Sequence, residues 1–218
     1  MLLLENGIII FIKYPEKGRV KTRLAQRIGA EKAINLYKIF VSEIIENLKV
    51  VKADLNICFT PKGSKCKLKE WLGEDYSYSL QRGKDLGERM ENSFRRLFAK
   101  GYKKVVLVGS DIPDLDYNIV NKALSSLSKY DAVIGPSFDG GYYLIGFKNN
   151  TFLPEAFRNI RWSSDSVFNN TMRILKENRR RVKLMDKKRD IDTIHDLKEF
   201  LNSMGKGSKI KKVFYENQ

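Results

Sequence analysis

The chain has 218 residues with 41 Lys and Arg, 26 Asp and Glu and a formal net charge of +15. A hydrophobic share of 42% supports a sizeable core, which excludes global disorder, and the length suits one large α/β domain. Two cysteines without CxxC spacing exclude a disulfide framework or structural zinc site, and no uncharged apolar run reaches the roughly 20 residues of a membrane span. The start, MLLLENG, lacks a basic n-region and a cleavage site, so a cytoplasmic protein is expected.

Strands are predicted at Ile8–Lys13, Leu55–Thr60, Tyr76–Gln81, Lys104–Gly109, Ala132–Gly135, Tyr143–Phe147 and Val182–Met185. Continuous apolar runs such as GIIIFI and VVLVG suit central strands buried on both faces. Helices are predicted at Ala30–Leu48, Leu86–Lys100, Tyr117–Ser128, Ser163–Asn178 and Thr193–Met204, with Asp192 a candidate N-cap for the last. Alternating β and α indicates an α/β fold with a mainly parallel sheet covered by helices on both sides. Residues 1–204 read as one domain, and 205–218 as a basic tail, either loose or an added edge strand.

Much of the positive charge sits in KGSKCKLK (62–69), RRRVKLMDKKR (179–189) and KGSKIKK (206–212). Such runs suit solubility and polyanion affinity, so a basic nucleic-acid-binding protein is one reading, though no specific nucleic-acid partner is expected. Ligands of open α/β sheets bind beyond the carboxyl ends of the strands, and four stretches fall there. The first is PEKGRVKTRL (15–24), where Lys17, Arg19, Lys21 and Arg23, with Lys13 just upstream, surround Gly18. It lacks the glycines of a P-loop, but Gly18 permits a turn with positive φ, and Lys21 and Arg23 can grip phosphate. The second, GSDIPDLD (109–116), puts Asp111 at a buried strand end, where it needs a partner; a divalent cation is the natural one. In GPSFDGGYYLIGF (135–147), Asp139 sits in a turn, and Gly140 and Gly141 leave the backbone open to a ligand. The fourth, RDIDTIHDL (189–197), carries Asp190 and Asp192. His195 reads as a surface residue, and Trp71 and Trp162 as core or lid residues. No GxSxG or GxGxxG motif supports a serine hydrolase or a dinucleotide-binding oxidoreductase.

Six blocks occur in order: KYPEKGRVKTRL from Lys13, QRGKDLGERM from Gln81, GSDIPDL, GPSFDGGYYLIG, IRWS from Ile160 and DIDTIHDL from Asp190. Together they resemble the GT-A-type family of radical-SAM/selenodomain-associated glycosyltransferases. The blocks also resemble 2-phospho-lactate guanylyltransferase-like nucleotidyltransferases. The resemblance implies a nucleotide-diphospho-sugar transferase fold, a three-layer α/β/α sandwich with a mostly parallel mixed sheet. It further implies that Lys21, Thr22 and Arg23 lie in the nucleotide-phosphate loop, with Lys13 and Gly18 beside them. Asp111 would be the metal aspartate for Mg2+ or Mn2+, and Asp139 a second metal ligand. Gly140, Gly141 and Trp162 would lie on the acceptor side. The block of Gln81, Asp85, Leu86, Gly87 and Arg89 is expected at the same cleft, with Arg89 facing phosphate. Two reactions fit: glycosyl transfer from a nucleotide sugar to a small acceptor, and nucleotidyl transfer from a nucleoside triphosphate to a phosphorylated small molecule. Asp111, Asp139 and Lys21 are the expected catalytic residues; Asp139 and Asp165 are candidates for a base.

Overall fold

A computed structural model describes residues 5–203 and 209–215. The start Met1–Leu4, the expected helix end Met204, and residues 205–208 and 216–218 of the expected tail lie outside the described residues. Seven strands, β1 (Asn6–Lys13), β2 (Asp54–Thr60), β3 (Ser77–Leu80), β4 (Lys104–Val108), β5 (Ala132–Pro136), β6 (Tyr142–Lys148) and β7 (Val182–Leu184), form one sheet in the order β3-β2-β1-β4-β6-β5-β7. β6 pairs antiparallel with both β4 and β5, whereas every other pairing is parallel. Its inserted direction brings the β5–β6 turn to the same sheet edge as the carboxyl ends of β1 and β4.

The helices among the described residues are α1 (Thr22–Ile28), α2 (Ala30–Lys49), α3 (Lys65–Leu72), α4 (Leu86–Ala99), α5 (Tyr117–Ser126), α6 (Val167–Glu177), α7 (Ile194–Ser203) and α8 (Lys209–Tyr215). The two-residue period of β1 sends Ile8, Ile10 and Ile12 into a core with Val41, Ile44 and Leu48 of α2 and Val120 of α5. Ile9 points to the other face, against Met90, Phe94 and Leu97 of α4 and Leu175 of α6. Each such side chain contributes about 1.5–3 kcal/mol on burial, which fixes the three-layer order.

A third cluster joins α1, α2, α7 and α8 through Leu24, Leu36, Phe40, Leu197, Leu201, Ile210 and Phe214. Residues 209–215, expected as tail or edge strand, are therefore helical. Their apolar positions recur four residues apart, a helical spacing that seats Ile210 and Phe214 on α2. At the other end of this layer, Thr193 Oγ1 accepts from the Asp196 amide at 3.3 Å, and Asp196 Oδ2 accepts from the Thr193 amide at 2.8 Å. This reciprocal pair begins α7 in the role expected of Asp192, whose carboxylate instead turns toward Lys21.

Candidate active site

The loop after β1 turns at Gly18, φ 76°, and reaches Lys21, which lies in the left-handed region at φ 46°, ψ 44° immediately before α1. A non-glycine residue there costs about 1–2 kcal/mol, which something must offset. The Lys21 side chain is 2% exposed, and its ammonium contacts Asp111 and, at 3.3 Å, Asp192. Burial alone would lower its pKa, but Asp111 and Asp192 together hold it above the ordinary lysine value. The partner of Asp111 among the described residues is thus a lysine 90 positions upstream in the chain.

Four segments are fastened around this contact. The Ile191 amide donates to the Asp111 carbonyl at 3.0 Å, and the Phe138 amide donates to the Lys188 carbonyl at 3.1 Å. Tyr37 of α2 bonds Ser110 Oγ at 3.2 Å and accepts from the Lys13 amide at 3.1 Å, joining the ends of β1 and β4. Asp139 is oriented by the Gly141 amide at 2.9 Å and by the Ser137 hydroxyl. Burial and then the Asp139 carboxylate push Asp190 up to about 6, with a smaller push from Asp192 and partial relief from Lys21.

Part of this set, Ser110, Ser137 and Gly141 included, borders a cavity of about 660 Å³. Its charged lining consists of Arg23, Asp111, Asp139, Asp165, Asp190 and Asp192. The remainder is largely apolar, with Trp162 edge-on to Tyr142 at a centroid distance of 6.5 Å. Trp162 reaches α4 because position 87 is glycine: a Cβ there would stand 2.6 Å from the indole and 2.2 Å from the Phe157 carbonyl.

The segment leading to Trp162 is anchored by Arg158, whose Nε and Nη2 donate to Glu91 of α4 at 3.0 and 2.8 Å. The Arg158 bonds outweigh burial and hold the Glu91 carboxyl below its ordinary value. Glu91→Gln is expected to lower stability at pH 7 by about 1–2 kcal/mol. Because the folded value is depressed, that difference is full above about pH 5 and disappears as pH falls through the folded value. Paired thermal melts from pH 3 to 8 measure it; a pH-independent difference would refute the ion-pair account.

The cavity brings together Arg23, Asp111, Asp139, Gly141 and Trp162, with Lys21 behind Asp111. Lys13 and Thr22 are exposed outside its lining, and Gly18 serves the turn. Gln81 Nε2 donates to the Cys58 carbonyl at 2.9 Å and the Ile12 carbonyl at 3.5 Å, holding β1 and β2. Arg89 Nε donates to the Gly83 carbonyl at 3.2 Å, so this nitrogen supports the loop before α4. Asp85 caps α4 by accepting from the Glu88 amide. Gly140 faces protein where a ligand was expected: a Cβ there would lie 2.1 Å from the Asp165 carbonyl oxygen. Tyr37, Ser110, Ser137 and Met90 were not singled out from sequence. Tyr37 and Met90 lie within helical apolar periodicity that reads as core, and the serines carry no signal of their own. His195 is exposed as expected. The basic run 179–189 is divided: Arg181 pairs with Asp131, Lys188 with Asp114, and Arg189 with Asp196 and Glu199.

Residues 44–164 match the family described as "Uncharacterized protein conserved in bacteria (DUF2064)". The chain belongs to this family. A crystal structure described as a "putative nucleotide-diphospho-sugar transferase" from Desulfovibrio desulfuricans G20 shares 42% identity with this family member. The match covers 99% of this chain and 96% of that one, at a TM-score of 0.93. CMP:2-keto-3-deoxy-manno-octonic acid synthetase, complexed with CTP, matches at 8% identity over 90% of this chain and 96% of its own, TM-score 0.58. Rv0371c from Mycobacterium tuberculosis H37Rv, complexed with manganese, matches at 12% over 92% and 100%, TM-score 0.56. The last two share the fold. No curated protein matches the chain. The architecture is that of the nucleotide-diphospho-sugar transferase fold.

Proposed function

We propose that this family member is a metal-dependent transferase that moves a glycosyl group from a nucleotide sugar to a small acceptor, with residues 1–204 as its transferase domain. The observation that carries this reading is the meeting of Lys21, Arg23, Asp111, Asp139 and Asp190 around one cavity at the carboxyl edge of the sheet. Arg23 would bind the diphosphate, each charge-assisted bond contributing about 1.5–3 kcal/mol, and Lys21 would add its positive charge to the phosphate site from behind Asp111. Thr22, and the loop from Lys13 through Gly18, would border the nucleotide, with Gln81 and Arg89 supporting that wall. The nucleotide-sugar description of the Desulfovibrio relative supports the donor class. Two free cysteines suit a reducing, cytoplasmic setting.

The donor set fits Mg2+ or Mn2+. Carboxylate oxygens are the hard ligands these ions prefer, and the Asp139–Asp190 repulsion is the kind a cation relieves. Among the described residues no three His, Cys, Asp or Glu side chains form a ready metal cage. Mg2+ is commonly held by one or two carboxylates with phosphate oxygens and water, so that arrangement is compatible with the proposal. Asp111 and Asp139 would hold the ion, with Asp190 beside them. When bound, it would neutralise charge on the departing nucleoside diphosphate.

Nucleotidyl transfer, of the guanylyltransferase-like kind that the motifs resemble, is the second reading, favoured by the basic loop ending in Arg23. In thermal-shift measurements, Mn2+ and one nucleotide-sugar class are expected to raise the melting temperature jointly. Asp111→Asn should remove that shift with little change in the unliganded protein. A joint shift unchanged in the variant would remove Asp111 from the site. Release of a nucleoside diphosphate supports glycosyl transfer; release of pyrophosphate from a triphosphate supports nucleotidyl transfer instead.

A further inference from the structure

A charged donor accounts for one side of the cavity and leaves its apolar side unexplained. That side is formed by Phe11, Leu86, Met90, Leu107, Tyr142 and Trp162. Leu86, in the first turn of α4, remains 42% exposed. The Tyr142 hydroxyl is turned to the Met90 sulfur at 3.9 Å, so its polar tip is engaged within the wall. An apolar body covering this wall would gain from the apolar surface both remove from water.

The charges near the wall restrict what that body can carry. Arg23 is the cation lining the cavity among the described residues, whereas Lys21 is already held by Asp111 and Asp192. Asp165 also lines the cavity, and its carboxylate has no hydrogen-bond or ion-pair partner among the described residues. An anionic acceptor would meet Asp165, with Arg23 and the ion on Asp111 and Asp139 both committed to the donor. Like charges brought together there repel, and more strongly as water is displaced.

Building on the glycosyl-transfer reading, we propose that the acceptor is an uncharged molecule with an apolar body and one reactive hydroxyl. The body lies on the Leu86–Trp162 wall, and the hydroxyl faces Asp165. In the transfer, the hydroxyl oxygen bonds to the anomeric carbon as the bond from that carbon to the diphosphate oxygen breaks. The nucleoside diphosphate leaves with the bonding pair, and the hydroxyl proton passes to a carboxylate of this side.

The test uses 2-phenylethanol and 2-phenylethyl phosphate as matched probes. The chain has two tryptophans, so Trp71→Phe leaves Trp162 as the reporter. With Mn2+ and UDP, GDP or CDP present, 2-phenylethanol is expected to change Trp162 emission saturably. The phosphate ester should bind at least about tenfold more weakly, a difference of 1.4 kcal/mol or more. Leu86→Asp should weaken alcohol binding by a similar factor. Equal or tighter binding of the phosphate ester overturns the proposal, as does the absence of a saturable response to either probe. Competitive displacement of the alcohol by uridine, guanosine or cytidine also overturns it, by assigning the wall to a base. Because binding is read apart from turnover, pyrophosphate release combined with preference for the alcohol would overturn the donor assignment alone.

Discussion

Replacing Lys21 with methionine is expected to slow transfer by at least about a hundredfold and to let Mn2+ stabilise the protein without a nucleotide. Removing one donor from a preorganised electrostatic site commonly costs about 10²–10³ in rate. Methionine keeps most of the buried volume, so the change isolates the ammonium. In the native protein that ammonium lies against Asp111 and Asp192, supplying charge where a free cation would otherwise be favoured. The variant leaves both carboxylates without it. Mn2+ alone should therefore raise the melting temperature of Lys21→Met and have little effect on the parent. Single-turnover release of nucleoside diphosphate, with melts at increasing Mn2+, measures both effects. Equal Mn2+ shifts in the two proteins would show that the ammonium does not occupy the role described.

The second large effect is expected at Gly140. Its φ is 88°, and an added Cβ would fall 2.1 Å from a backbone oxygen of Asp165, an atom with no freedom to swing away. The Gly140 carbonyl also accepts from the Phe168 amide at 2.9 Å, fixing the turn to the start of α6. Gly140→Ala should cost about 1–2 kcal/mol for the left-handed backbone and about 1–3 kcal/mol for overpacking. For a chain of this size that amounts to a fall of roughly 4–20 °C in melting temperature. Gly18→Ala is the control: its φ is 76°, but nothing lies within 4 Å of the added carbon. It should show only the backbone part. Thermal melts of the two variants measure the difference; equal losses would mean that the Asp165 contact carries no weight.

The strands were legible because Ile8–Ile10 and Val105–Val108 are buried and form unbroken apolar runs. Helices α1, α3 and α8 were not. α1 follows a left-handed lysine without a side-chain cap, α3 buries Leu68 within a basic run, and α8 buries Ile210 and Phe214 in a stretch that reads as a polar tail. In the cavity, Asp111 and Asp139 were legible from their strand-end turns. The Lys21–Asp111 contact was not, because it joins segments 90 positions apart and neither carries a local sign of the other. Gly140 illustrates the opposite difficulty. Its need for positive φ is visible as a residue type, but whether ligand or protein presses on it depends on where residues 163–167 fold.

The bond from Lys21 to Asp192 spans 171 positions of the chain. A nascent polypeptide ending just after β7 would possess every strand of the sheet yet lack Asp190 and Asp192. During synthesis, ligand affinity should therefore appear late, after the strands have been made. Capture on an immobilised nucleotide sugar could then separate finished molecules from prematurely terminated ones that already contain the whole sheet.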